Sequence, residues 1–259
     1  MDGNLTHLAV CGDSFSVGHG LDPEIQFEKS FGGLIADHYN LPHLVYGRSG
    51  CCNFVIYLQV KKIVEQIKKD KDFRPFVLLS DTWVDRIVFP IRKFWFSKEP
   101  NLSDVDYLNY EPYNEQYPVR RSLPFKTNRK YKFVSEGLIT FLNDKAHGLE
   151  QLFNKSKKEN VKPLTAFFDE VYDYELKKET DKCMLASAHL LLIQHNIPHL
   201  FLTQERNSLI NNKNNMLSNW EKLIKKYPDL RGTGHCNEIG HKITAESVIK
   251  HIDNYCLMS

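Results

Sequence analysis

Apolar residues follow two alternating rhythms along this chain. Four short runs are unbroken: His7-Leu8-Ala9-Val10-Cys11, residues 43–46, Phe76-Val77-Leu78-Leu79, and Pro198 to Thr203. Runs this short, the first two stopped by Gly12 and Gly47, read as buried strands ending in turns. Between and after them the spacing turns helical. From Asn53 to Lys69 the apolar positions are Val55, Ile56, Leu58, Val60, Ile63, Val64 and Ile67. Asn53 is placed to cap that helix. Residues 181–196, rich in Leu and Ala, predict a second helix, and 214–226 and 238–253 predict two final ones. Strands alternating with helices imply a parallel sheet covered on both faces. The expected fold is a three-layer α/β/α sandwich around four or five parallel strands.

The stretch from about 88 to 145 breaks this rhythm. It is dense in Tyr, Phe, Pro, Asn and Lys, with Phe94-Trp95-Phe96 and Arg120-Arg121 inside it. So long a stretch without the pattern is usually functional or carries small elements of its own. It is expected to be an insertion after the third strand, either a hydrophobic cap over the sheet or a surface that stacks on bases or sugars. It should line the approach to the site, with Trp95 and Arg120 in contact with substrate. No internal repeat divides the chain, so residues 1–259 are read as one domain carrying this insertion.

Composition narrows the partners. A formal charge of +2 gives no global field for nucleic acid or an anionic membrane. Six cysteines at 11, 51, 52, 183, 236 and 256 include no C-x-x-C pair. Free thiols fit better than a disulfide framework. No secretion signal or membrane-length apolar run is visible, so a cytoplasmic location is expected.

Three blocks hold the candidate chemistry. Gly12-Asp13-Ser14 follows the first strand directly. In open α/β sheets, ligands bind beyond the carboxyl ends of the strands. A serine there, entering a helix, has backbone N–H groups around it that could hold a developing oxyanion. Arg48-Ser49-Gly50-Cys51-Cys52-Asn53 follows the second strand. Glycine lets a backbone amide approach a ligand closely, so Gly50 is a candidate oxyanion donor. Gly234-His235-Cys236-Asn237-Glu238-Ile239-Gly240-His241 precedes the last helix. A doubly wound sheet can carry that histidine to the serine. His235, Cys236 and His241 match no standard zinc spacing, so neither a metal nor another cofactor is expected. His241 reads as part of the helix start.

The order of these blocks resembles the SGNH (GDSL-like) hydrolases, over most of the chain outside 88–145. The resemblance implies a flavodoxin-like α/β/α fold, Ser14 as nucleophile, His235 as general base, and oxyanion donors from Ser14 and Gly50. Two blocks depart from the family pattern. An aspartate usually stands three residues before the histidine; here that position is Gly232, and Asp229 lies three residues further back. The family's third block is usually G-x-N-D; here the third strand runs into Ser80-Asp81-Thr82-Trp83-Val84-Asp85-Arg86. Thr82 falls nearest the asparagine and is the candidate third donor. This T-x-x-D-R pattern is similar to a variant block in some virus-encoded members, which makes the chain a divergent one. Asp13, Asn53, Asp85 and Arg86 are candidate substrate contacts, and Gln204-Glu205-Arg206 a polar rim.

The implied activity is serine-dependent hydrolysis of a carboxylic ester, esterase or deacetylase-like, on a small-molecule or carbohydrate ester. Acyl transfer through the same acyl-enzyme is a close relative. The other reading is a non-catalytic binding or assembly module that keeps the fold.

Overall fold

The computed structural model describes residues 5–48, 51–84, 173–230, 232, 234–255 and 257. Five parallel strands form one sheet: β1 (His7–Cys11), β2 (His43–Val45), β3 (Pro75–Ser80), β4 (His199–Thr203) and β5 (Asn215–Leu217). Their spatial order is β2-β1-β3-β4-β5. The chain leaves β1 toward one edge for β2 and returns to the other side for β3. The crevice between β1 and β3 is therefore the point where winding reverses, which is where such sheets bind ligands.

Strand side chains divide by period two. Ala9, Cys11, Val77, Leu79 and Phe201 join one buried cluster. Leu8, Val10, Phe76, Leu78, Leu200 and Leu202 join another. Burial on both faces explains why these strands read as unbroken apolar runs. The first cluster is completed by α4 (Asn53–Lys69) and α5 (Tyr174–Gln194). Helices α1 (Ser14–Val17), α3 (Phe31–His38), α6 (Trp220–Lys226) and α7 (Glu238–Asn254) supply side chains to the second. A short α2 (Gln26–Lys29) precedes α3. The expected α/β sandwich with a parallel sheet is what the chain forms.

Three local expectations change. Residues 214–226 do not make one helix: a 3-10 turn (Asn212–Asn214) leads into β5, and α6 begins only at Trp220. Pairing with β4 takes Asn215, Met216 and Leu217 from the helical pattern. Helix α5 starts earlier than expected, at Tyr174, because the Asp173 side chain caps it by accepting from the Leu176 N–H. Asn53 does not cap α4; the cap position is Cys52, which makes no side-chain capping bond. The insertion at 88–145, with Trp95 and Arg120, lies outside the described residues. Among the described residues no helix is long and apolar enough to cross a membrane, and Cys11, Cys51, Cys52, Cys183 and Cys236 are free thiols.

Candidate functional site

The turn after β1 is built around Gly12. Its φ is +143°, and a Cβ there would sit 2.1 Å from Ser16 Oγ and 2.8 Å from the Ser80 carbonyl. Only glycine fits this turn. Gln59, on the apolar face of α4, clamps the same residue from beneath: its Oε1 accepts from the Gly12 N–H at 2.7 Å and its Nε2 donates to the Gly12 carbonyl at 3.1 Å. The Ser16 hydroxyl donates to the Cys11 carbonyl, and the Arg48 N–H donates to Gly12 O. A backbone so heavily tied presents Ser14 in one position, at the first residue of α1.

Asp13 caps that helix. Its carboxylate accepts from the Phe15 N–H at 3.0 Å and from the Thr82 hydroxyl at 2.8 Å. Thr82 is held in turn by Asn53, whose side-chain oxygen accepts the Thr82 N–H at 3.1 Å. The Asn53 amide donates to the Thr82 carbonyl and to Asp181, and Lys177 pairs with Asp181 one turn away on α5. This chain of buried polar contacts ties the carboxyl end of β1 to that of β3 and then to α4 and α5. Asp13, Asn53 and Thr82 thus all carry hydrogen bonds within the protein. The Thr82 hydroxyl is a donor to Asp13, not to the space before Ser14. Gly50, Asp85 and Arg86 lie outside the described residues.

His235 arrives from the far end of the chain. Its Nε2 is 2.8 Å from Ser14 Oγ. The ring stands 4.7 Å from that of Phe15 and 4.8 Å from that of His19. Phe15 is itself stacked on Trp220, so the imidazole rests on a packed aromatic base with His19 on the exposed side. A short antiparallel bridge between Pro228 and Cys236 brings Asp229 directly across from His235. The Asp229 N–H donates to the His235 carbonyl at 2.9 Å, and the Asp229 carboxylate accepts from the His235 N–H at 3.1 Å. Both Cβ atoms lie close to Gly20, at 2.9 Å and 3.3 Å from where its own Cβ would be. A side chain at position 20 would push the two residues away. Gly232 has φ +64° and open space around it.

Three groups around the site have strongly shifted titration. Burial, with Asp13 and Asp181 nearby, holds the Asp81 carboxyl well above the usual carboxylate range, although Gln204 bonds oppose this. His241 is fully buried on α7, and desolvation together with His235 pushes it down to about 3. It is therefore a neutral structural ring, as its place at the helix start suggested. Burial of the Cys236 thiol raises it to about 12, so this neighbour of His235 is no nucleophile at neutral pH. Among the described residues no group of three His, Cys, Asp or Glu side chains is placed to hold a metal.

Sequence reasoning did not mark Gln59, His19 or Asp181. Gln59 had a signal, a polar residue inside the apolar stripe Val55-Ile56-Leu58-Val60. His19 and Asp181 had none, because their partners come from distant segments. No protein-family model, no curated protein and no solved structure matches this chain, so the site is read from its own geometry.

Proposed function

We propose that this protein hydrolyses carboxylic esters through an acyl-enzyme on Ser14. The observation that carries the reading is the 2.8 Å contact between Ser14 Oγ and His235 Nε2, at the reversal point of a parallel sheet. His235 removes the Ser14 proton as Oγ attacks the ester carbonyl carbon. The carbonyl π electrons move onto oxygen. The Ser14 amide, at the first position of α1 where helix N–H groups lack internal partners, is the donor to that oxyanion. Collapse breaks the bond to the alcohol oxygen, which takes the proton from His235. Water then enters by the same route in reverse order, and the free acid leaves.

Asp229 is the group this mechanism uses in place of an acid at position 232. Its carboxylate already bonds the His235 backbone, so it holds the segment that carries the base. Placed this close, a carboxylate also stabilises the imidazolium that forms when His235 takes a proton.

The rival reading, a binding or assembly module without catalysis, draws on the commitment of Thr82 to Asp13. It removes one candidate oxyanion donor. A fluorophosphonate probe separates the two readings. The hydrolase is expected to gain one covalent adduct on Ser14, and Ser14→Ala to gain none. A wild-type protein that stays unlabelled while folded would leave the binding module as the better account.

A further inference from the structure

A second imidazole, that of the exposed His19, stands against the base. Its place is fixed by the turn that ends α1. Gly18 adopts the left-handed conformation there, with φ +78°, and the His19 N–H donates to the Ser14 carbonyl at 2.9 Å. Gly20 follows with φ +98°, and a Cβ on it would lie 2.9 Å from the His235 Cβ and 3.3 Å from the Asp229 Cβ. The backbone that carries His19 is thus bonded to the nucleophile's residue and runs against the segment that holds the base. The two imidazoles meet with centroids 4.8 Å apart and planes at 57°.

Charge gives this contact a consequence. An imidazole open to water changes charge between about pH 5 and 8. Two imidazolium rings in contact repel, so the pair takes up its second proton less readily than its first. His19 is exposed and His235 half-buried, so hydration favours the first proton on His19. The other groups around His235 do not duplicate this effect. His241, on α7, is held down near 3 and the Cys236 thiol up at about 12, so both stay neutral across that range. Asp229 acts in the opposite sense, by favouring the imidazolium. Asp22 and Glu24, which follow His19 on its own segment, are exposed acids and add no positive charge. Phe15, against the His235 ring, and Trp220 beneath it are uncharged.

We propose that His19 acts through His235 as a positioning residue: its positive charge, gained on acidification, keeps His235 neutral and so extends the working range of the base toward lower pH. The catalytic consequence rests on the hydrolase reading above; the coupling of the two rings does not.

The test is the pH dependence of kcat/KM for 4-nitrophenyl acetate, with full-length wild type, His19→Gln, His19→Phe and His19→Lys. At low ionic strength the acid limb should move up by about 0.5–1 pH unit in His19→Gln and His19→Phe. That is a loss of about three- to tenfold at pH 5.5 beyond any loss at pH 8. His19→Lys, cationic throughout, should hold the limb at or below its wild-type position, and high salt should shrink the differences. A limb that stays in place or moves down in His19→Gln overturns the proposal. So does a wild-type limb in His19→Phe beside a shifted one in His19→Gln, which would show that the ring only packs. A second measurement needs no catalysis: proton NMR titration of the His235 ring in Ser14→Ala and in Ser14→Ala combined with His19→Gln. A higher His235 midpoint in the second, for a protein whose wild type ignores both ester and fluorophosphonate, upholds the coupling and removes the hydrolase. Labelling of Ser14 with an unmoved midpoint does the reverse.

Discussion

His235 and His241 lie six residues apart in one segment and meet opposite surroundings. His235 sits in a loop, partly open to solvent, with Nε2 against the Ser14 hydroxyl. His241 sits one turn into α7, fully buried, where its Nδ1 accepts the Phe31 N–H at 3.2 Å. A backbone amide can only donate, so His241 carries its proton on Nε2, and that atom has no hydrogen-bond partner among the described residues. Its ring lies parallel to Phe31, with centroids 6.1 Å apart. A base must be able to change charge during a reaction. Burial with no counter-charge among the described residues denies His241 that change, while exposure and Asp229 leave it open to His235. Residue type alone does not distinguish the two; access to water and to a carboxylate does.

The largest expected effect breaks the reactive side of this comparison. Ser14→Ala and His235→Ala should each lower hydrolysis of 4-nitrophenyl acetate by about 10³-fold or more, and the double variant should be no worse, because residues that act as one unit fail together. An unchanged rate in Ser14→Ala would end the proposed mechanism. Asp229→Asn comes next, with kcat reduced about 10- to 10³-fold and a smaller change in KM, since the carboxylate acts through the charged imidazole. Gly232→Asp has room for its side chain, although φ +64° favours glycine. If an acid there serves the histidine as the family resemblance implies, it should recover part of the rate lost in Asp229→Asn, read as kcat in the double variant.

Acid sharpens the buried side. Desolvation holds His43 and His199 near 4 and His241 near 3, against 6.5 for an exposed imidazole. Below about pH 6.5 the unfolded chain takes up protons that the folded chain refuses, so stability falls with pH down to about 4 and is unaffected by these groups above 7. Urea unfolding at pH 5 should consume up to about three protons more than at pH 8. A midpoint independent of pH across that range would contradict the burial of these rings. The smallest effect is expected from His241→Phe. It strands the Phe31 N–H and should cost about 1–3 kcal/mol of stability, seen as a lower urea midpoint, with 4-nitrophenyl acetate turnover within about threefold of wild type.

Much of the fold was legible because every strand of the sheet's centre is buried on both sides. Such a strand prints an unbroken apolar run, as in Leu8 to Cys11 and Phe76 to Leu79. The edge strand β5 was not legible. Met216 and Leu217 are only partly covered, and their spacing to Trp220 and Leu223 imitates a helix. Helix α3 was also hidden, since Gly32 and Gly33 weaken the helical signal. They stand there for contact: a Cβ on Gly33 would lie 2.1 Å from the Phe27 carbonyl, and one on Gly32 would lie 2.8 Å from His43 and Val10. At the site, Ser14 and His235 were legible from motif order. The role of Thr82 was not, because a hydroxyl's partner is decided by where Asp13 stands across the sheet, and sequence spacing carries no such distance.

The Pro228–Cys236 bridge has a kinetic consequence. A chain stopped before residue 234 already contains every strand of the described sheet, yet it lacks His235 and the Cys236, Ala245, Val248 and Ile252 side chains of the second core cluster. Ser14 and His235 are separated by 221 positions, so their meeting is among the longest loop closures the molecule makes, and such contacts form late. Probe reactivity at Ser14 would therefore lag behind the recovery of sheet signal during refolding. The site would report completion of folding where circular dichroism reports only its beginning.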